Sequence, residues 1–294
     1  MRFFVRVAEL GNLTHAAETL HITQPSLTRR IHQLEEDLGV RLFVRVNRGM
    51  RLTEAGRLLV EGAQGIFSEI ERVRDMVAAH EAAPRGTVIV GITPTLCPVV
   101  LPELVARMEA YPKIELKIEQ RGSPMLPERL LAGSIDLAVM ADMTRSRLLE
   151  RANVAQEEMV LVTSGSQQRD NIIEWGELVR VPLVLTQTIQ IIMKRLTISR
   201  NQELKVSMVM NSLEALRVLV QEGRCATILP YSFARREYKM GLFGIRRIKD
   251  ENMKRQLIVA RSKGRQTTLA VEQVSNLCKQ IFFDLDRNGY FTIK

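Results

Sequence analysis

Residues 24–38 (QPSLTRRIHQLEEDL) constrain the fold more than any other stretch of this chain. Leu27, Ile31, Leu34 and Leu38 step by four, three and four, and at about 100° per residue they form one buried stripe of a helix. Pro25, Arg29, His32 and Gln33 then point away from that stripe, and Ser26 and Thr28 flank it near its start. Thr23 is placed to cap the helix, and Pro25 is tolerated in a first turn because its missing N–H has no helical partner there. Gly39 is the expected stop. Ahead of this helix, RFFVRVAEL (2–10) sets Phe3, Phe4, Val7 and Leu10 at helical spacing, and Gly11-Asn12 breaks the run. Thr14 is the expected cap of a short helix carrying Ala16, Ala17 and Leu20, with a turn at His21-Ile22. The paired alanines let a neighbouring helix approach closely.

A short helix, a tight turn and a second helix exposing Gln, Ser, Thr and Arg near its start fit a recognition helix in a DNA major groove. Gln24 and Arg29 can bond bidentately to base edges, while Ser26 and Thr28 can reach phosphates or bases. The following stretch, 40–53 (VRLFVRVNRGMRLT), reads as a two-stranded wing. Val40, Leu42, Val44 and Val46 alternate with Arg41, Phe43 and Arg45, and Asn47-Arg48-Gly49 supplies the turn. Arg45, Arg48 and Arg51 would sit near the tip, suited to phosphates or a minor groove. Thr28 to Arg57 holds seven arginines against four acids (Glu35, Glu36, Asp37 and Glu54). A small helical bundle with solvated arginines has the same spacing and stands as the alternative.

Bulk composition excludes more than it identifies. The 294 residues exceed what one core usually holds, and 46% hydrophobic with 26% charged residues are ordinary globular values, which excludes disorder and fibrous repeats. The formal net charge is +9, yet residues 1–86 carry 12 basic and 11 acidic side chains, so any nucleic-acid site there must be a local patch. No apolar run reaches the roughly 18 residues that cross a bilayer, and the interrupted, basic N-terminus is no signal peptide, so no membrane partner and a cytoplasmic location are expected. Cys97, Cys225 and Cys278 lie far apart with no CxxC, which points to reduced thiols. All four histidines fall within the first 80 residues, so the long remainder lacks the commonest general base and metal ligand.

Thr53 can cap a helix from Glu54 to about Ala83. Leu59, Ala63, Ile66, Ile70, Val73 and Val77 step four, three, four, three and four along it, an a/d seam that favours a partner helix over packing on its own domain. Pro84-Arg85-Gly86 halts it. Beyond, candidate strands at 87–92, 114–120, 135–141, 158–164, 182–187, 206–210, 226–230 and 257–261 alternate with helices at 100–110, 125–132, 188–198, 212–222 and 266–285. This alternation argues for parallel α/β sheets. In open α/β sheets ligands sit at the carboxyl ends of strands, where three loops here are polar: Thr93-Pro94-Thr95, Gly122-Ser123-Pro124 and Gln187-Thr188. Hydroxyls at helix N-termini suit a small anion such as a carboxylate, and ordinary capping is the alternative use of the same residues. The candidate effector contacts are therefore Thr93, Pro94, Thr95, Ser123, Gln187 and Thr188. There is no GxGxxG after the first strand, no GxxxxGK[ST], no GxSxG and no HExxH, so no enzyme, cofactor, catalytic residue or metal site is expected.

The run AAETLHITQPSLTRRIHQLEEDLGVRLFVRVNRGMRLTEAG resembles the signature of bacterial LysR-type transcriptional regulators. The paired alanines, Gln-Pro-x-hydrophobic-Ser/Thr-Arg, Leu-Glu, Leu-Gly, Leu-Phe-x-Arg and Leu-Thr-x-Ala-Gly of that family are all present in register. The resemblance implies an α/β multidomain protein: a winged helix-turn-helix DNA-binding domain (1–53), a linker and dimerisation helix (54–83), and a two-lobed effector domain like periplasmic binding proteins (87–294). Lobe one is expected at about 87–156 with 262–294, and lobe two at 157–261. It further implies that Gln24, Pro25, Thr28 and Arg29 face an operator with Arg48 on the wing, and that the linker helix forms a dimer which pairs into a tetramer. A small molecule would bind between the lobes, and RNA polymerase is a further candidate partner. Family members usually begin some residues ahead of the position of Met1, so the first helix is expected to lack its start. Two alternatives stand beside this reading: a ligand-binding α/β protein whose N-terminal helices serve only assembly, and a thiol redox sensor using Cys97 or Cys225.

Overall fold

The computed structural model describes residues 1–46, 49–78, 83–143, 146–167, 171–197 and 203–293, with the side chains of 68, 71, 72, 75–78 and 196 excepted. The chain divides into two compact units, Met1–Ala78 with Ala132–Ser134, and Ala79–Leu131 with Ile135–Lys294.

The first unit contains helices α1 (Arg2–Leu10), α2 (Leu13–Thr19) and α3 (Gln24–Leu38), a hairpin of β1 (Phe43–Val46) and β2 (Gly49–Leu52), and helix α4 (Glu54–Ala78). Phe4, Val7, Ala16, Ala17, Leu27, Ile31, Leu42 and Phe43 form its core. Gly11 and Gly39 close α1 and α3 at φ of 60° and 68°, a left-handed turn that glycine adopts without a Cβ penalty. Asn12, not Thr14, caps α2: its side chain accepts the Thr14 and His15 N–H groups, since the helix begins one residue earlier than its hydroxyl-bearing Thr14. Thr23 does stand at the start of α3, but its side chain makes no cap bond.

Two positions of the expected apolar pattern exchange roles. Leu38 is 47% exposed, while Glu35 is buried at 7%. In the hairpin, pairing starts at Phe43↔Leu52, so Leu42 and Phe43 both turn into the core, and Val44 and Val46 face outward instead of inward. Thr53 caps α4 as expected, accepting the Gly56 N–H at 3.0 Å. The last part of the expected linker helix, 79–82, lies outside the described residues.

The second unit runs β3 (Gly86–Ile92), α5 (Cys97–Met108), β4 (Ile114–Gln120), α6 (Leu126–Ala132), β5 (Leu137–Ala141), β6 (Leu149–Ser164), β7 (Ile172–Ile173), α7 (Trp175–Leu178), β8 (Leu183–Leu185), α8 (Gln187–Leu196), β9 (Val206–Val209), α9 (Leu213–Gln221), β10 (Thr227–Pro230), α10 (Tyr231–Lys239), β11 (Phe243–Ile248), β12 (Lys254–Ser262) and α11 (Leu269–Arg287). Strand β3 pairs in parallel with β4 and β5. The 16-residue β6 then runs out of this lobe into the second, where it pairs antiparallel with β10 and β11. Strand β12 returns, antiparallel both to β5 and to the first half of β6. The sheets are thus mixed and not simply parallel, because the two crossing strands run in opposite senses. The crossing falls within β6 and β12, so the return to lobe one begins near Lys254, ahead of the expected cut at 261.

Helix α10 and strand β11 have no counterpart in the apolar pattern. YSFARREYK buries Glu237 along with Phe233 and Ala234. FGIRRI buries Arg246, whose guanidinium is held bidentately by Glu177 and bonds the Ile172 carbonyl. Charge in a core strand hides it from a reading that looks for hydrophobic runs.

Candidate functional sites

The outward face of α3 carries the candidate DNA-reading residues. Gln24, Pro25 and Arg29 are exposed, and Ser26 and Thr28 are half-buried beside them. Neither the Gln24 nor the Arg29 side chain is held by a hydrogen bond among the described residues, so both are free for a partner. Thr28 Oγ1 donates to the Gln24 carbonyl at 3.0 Å, which keeps its hydroxyl close to the helix. With no side-chain bond from Thr23, the Gln24 and Ser26 N–H groups at the start of α3 stay uncapped and favour an anion such as phosphate. Arg30 is committed elsewhere, stacking 4.5 Å over the Phe3 ring. On the hairpin, Arg45 and Arg51 are exposed, opposite Met50 and Val44. Arg48 lies outside the described residues.

Glu35 holds this surface together, a role that the sequence pattern did not suggest. Its Oε1 accepts the Leu42 N–H at 2.8 Å and the Phe43 N–H at 3.2 Å, and its Oε2 receives Arg41 Nη1 at 2.8 Å. Desolvation raises its pKa, but the Leu42, Arg41 and Phe43 hydrogen bonds together outweigh that and hold the carboxyl below its ordinary value.

The α4 seam divides. Leu59 packs with the N-terminal core and Ala63 is buried, whereas Ile66, Ile70 and Val73 are all 40–46% exposed. The side chain of Val77 lies outside the described residues.

In the second unit, Thr93, Pro94, Thr95, Gln187 and Thr188 line one cavity of about 300 Å³. They come from the loop after β3 in lobe one and the start of α8 in lobe two. Ser123 does not line it. Fully buried, Ser123 Oγ sits 2.9 Å from Thr93 Oγ1 and accepts the Ala141 N–H at 3.1 Å, so it braces Thr93 from behind. Across the cleft Gly122 approaches α8 so closely that a Cβ there would lie 2.6 Å from Thr188 Oγ1.

Helix α8 presents its N-terminus to the cavity. Thr186 Oγ1 accepts the Ile189 N–H and Asn211 Oδ1 accepts the Gln187 N–H, which leaves the Thr188 N–H without a partner among the described residues. Pro124, Met125, Ile189, Ile191 and Leu213 add apolar walls. Arg255 completes the lining and had no sequence signal, since KRQLIVARS reads as a strand like any other. Its Nε donates to Glu157 Oε2 at 2.8 Å, its Nη2 lies 2.7 Å from the same oxygen in an ion pair, and Nη2 donates to Thr95 Oγ1 at 3.1 Å. Glu157 Oε1 in turn accepts the Ser232 N–H at the start of α10.

All three thiols are raised above their ordinary value by burial. Burial pushes Cys97 up to about 11 and Cys278 up to about 12, and it raises Cys225 as well. Among the described residues no group of three His, Cys, Asp or Glu side chains is placed to hold a metal ion, and no helix is long and apolar enough to cross a membrane.

Residues 1–57 match the family model of the bacterial regulatory helix-turn-helix protein, lysR family, and residues 81–282 match that of the LysR substrate binding domain. The nitrogen assimilation regulatory protein nac of Klebsiella aerogenes is 27% identical over 240 residues, 80% of this chain and 78% of that protein. A hydrogen peroxide-inducible genes activator of Dickeya chrysanthemi is 31% identical over 162 residues, 55% of this chain and 53% of that one. Full-length CbnR, solved in complex with its target DNA, superposes with a TM-score of 0.58 at 27% identity, covering 95% of this chain and 97% of that chain. With both of its units matched in order, the chain belongs to the LysR family of transcriptional regulators.

Proposed function

We propose that this regulator reads an operator with Gln24, Pro25, Ser26, Thr28 and Arg29 of α3 while Arg48 grips the flanking backbone from the wing. The observation that carries the reading is the start of α3. Its amides are uncapped, Gln24 and Arg29 are exposed and unheld, and an arginine-bearing hairpin follows α3 in the same unit. Dimerisation through the exposed Ile66, Ile70 and Val73 of α4, with Val77 continuing the seam, would present two such helices to an inverted repeat, and two dimers would pair into a tetramer. A small anionic effector in the Thr93–Thr188 cleft would bind two lobe arrangements unequally and so alter how the dimers sit on DNA, and RNA polymerase would sense the result. The cytoplasm is the setting this implies, and no catalytic role is proposed.

Footprinting of the full chain on DNA beside its own gene tests this directly. A protected inverted repeat whose affinity falls steeply with salt is expected, and indifference to promoter fragments at low ionic strength overturns it. The thiol-sensor reading draws support from the likeness to a peroxide-responsive activator, but the buried, raised thiols count against it.

A further inference from the structure

We infer that the cleft ligand is an amphipathic monocarboxylate whose head group is taken by Arg255 at the crossing strands, an inference that rests on the cleft reading above. Arg255 is 4% exposed, lines the cavity, and leaves one nitrogen unused: Nη1 is buried and has no hydrogen-bond partner among the described residues. A buried guanidinium N–H without an acceptor is unfavourable, and an incoming carboxylate oxygen would satisfy it. The pairing with Glu157 does not exhaust the donors, since it uses Nε and Nη2 and leaves Nη1. Glu157 is itself stabilised at the N-terminus of α10 by the Ser232 N–H, so part of its demand for a cation is met elsewhere. The Thr188 N–H at the start of α8 supplies a second donor from the opposite lobe.

The rest of the lining sets the class of ligand. Arg255 is the one charged residue among the described residues lining the cavity, and its polar neighbours are hydroxyls and amides. Pro94, Pro124, Met125, Ile189, Ile191 and Leu213 form the remainder. One guanidinium already shared with Glu157 and facing several apolar side chains can meet at most one further negative charge through its unused Nη1, which matches a single carboxylate on a compact hydrocarbon body. A phosphate or a dicarboxylate would bury a third negative charge at the same cation with nothing to meet it. A head group on Arg255 touches β12, and through Glu157 it touches β6, so this ligand would engage both strands that connect the lobes.

Titration calorimetry of the full chain with benzoate, hexanoate, benzamide, phthalate and inorganic phosphate tests the proposal. Benzoate and hexanoate are expected to bind, with benzamide, phthalate and phosphate about ten- to a hundredfold weaker, the range set by one hydrogen bond to a charged group. Glu157→Gln should tighten benzoate by removing the competing carboxylate. The double variant Glu157→Gln with Arg255→Gln leaves no orphaned charge and should erase the preference for benzoate over benzamide. Thr188→Trp, which fills the cavity, should abolish binding of every probe. Should benzoate bind Thr188→Trp as well as the unaltered protein, the cleft reading itself fails. Should Thr188→Trp block binding while the double variant keeps its preference for benzoate, the role of Arg255 fails and the cleft stands. Failure of both carboxylates to bind at millimolar concentration overturns the monocarboxylate assignment.

Discussion

Glu35 and Leu42 are joined by a 2.8 Å hydrogen bond from the Leu42 N–H to Glu35 Oε1, which ties the far end of the recognition helix to the entrance of the wing. The Phe43 N–H and Arg41 complete the set, all on a carboxylate that is 7% exposed. Removing it leaves two buried amides without an acceptor, so Glu35→Ala should destabilise the N-terminal unit by about 2–4 kcal/mol. Because the folded carboxyl lies below its ordinary value, its contribution is complete above the usual carboxylate range and is lost as pH falls through the depressed value. The protection of the Leu42 and Phe43 amides, taken relative to their intrinsic exchange rates at each pH, should therefore fall on acidification in the unaltered protein. In Glu35→Gln protection should be reduced already at neutral pH and far less dependent on pH. Equal protection in both proteins at neutral pH would contradict the assignment.

Arg29 and Arg48 should fail differently. Arg29 projects unheld from the exposed face of α3, so under the proposed reading Arg29→Ala should weaken operator binding by about 1–3 kcal/mol and relax base preference at one position of each half-site. Arg48→Ala should weaken operator and random DNA alike and shallow the salt dependence. Gel-shift titrations on both DNAs at two salt concentrations separate the two roles, and identical profiles for the two variants contradict them.

The exposed half of the α4 seam predicts an oligomerisation defect. Burying one Ile side chain contributes about 1.5–3 kcal/mol, so Ile66→Asp with Ile70→Asp should dissociate the assembly and lower operator affinity together. Sedimentation velocity reads the first effect and gel shift the second. Leu59 packs inward with the N-terminal core, so Leu59→Asp should instead unfold that unit. An unchanged sedimentation coefficient for the double isoleucine variant rules this seam out as the contact.

Much of this architecture was legible before any coordinates, and what escaped did so for physical reasons. Periodicity located α3, the hairpin and α4, because amphipathic helices and capped turns are local. The polar loops at the carboxyl ends of strands were also legible, and five of the six residues singled out on them, Thr93, Pro94, Thr95, Gln187 and Thr188, share one cavity, while Ser123 lies behind it. Periodicity ranks side chains by hydrophobicity, so it put Leu38 in the core and Glu35 on the surface, the reverse of what three hydrogen bonds accomplish. The same bias hid Arg246 in β11 and Arg255 in β12, whose acidic partners Glu177 and Glu157 lie 69 and 98 residues away. Pairings at that separation are decided by tertiary structure, and no local pattern carries them.

Ser123 separates bracing from contact. Its hydroxyl accepts the Ala141 N–H and meets Thr93 Oγ1, both fully inside the lobe. Ser123→Ala leaves a buried amide unsatisfied and frees Thr93 to rotate, which should cost about 1–3 kcal/mol of stability. Ser123→Thr keeps the hydroxyl but adds a methyl group in a filled space, where overpacking typically costs about 1–3 kcal/mol. Chemical denaturation checks both. Retention of full stability by Ser123→Ala would remove the bracing role.

The cysteines yield the last prediction. A thiol sensor needs an accessible thiolate near neutral pH, and burial does the opposite here, lifting Cys97 to about 11 and Cys278 to about 12. At pH 8 a thiol near 11 is ionised in roughly one molecule per thousand, and the fraction grows only as pH approaches that value. Labelling of the folded chain with a thiol reagent should therefore be slow at Cys97 and Cys278 and faster at the half-buried Cys225. All three should react promptly in denaturant. Hydrogen peroxide at modest excess should leave operator affinity unchanged, and Cys225→Ser should behave like the unaltered protein. Rapid peroxide oxidation of any one thiol, accompanied by altered DNA binding that its serine variant abolishes, would instead establish redox sensing.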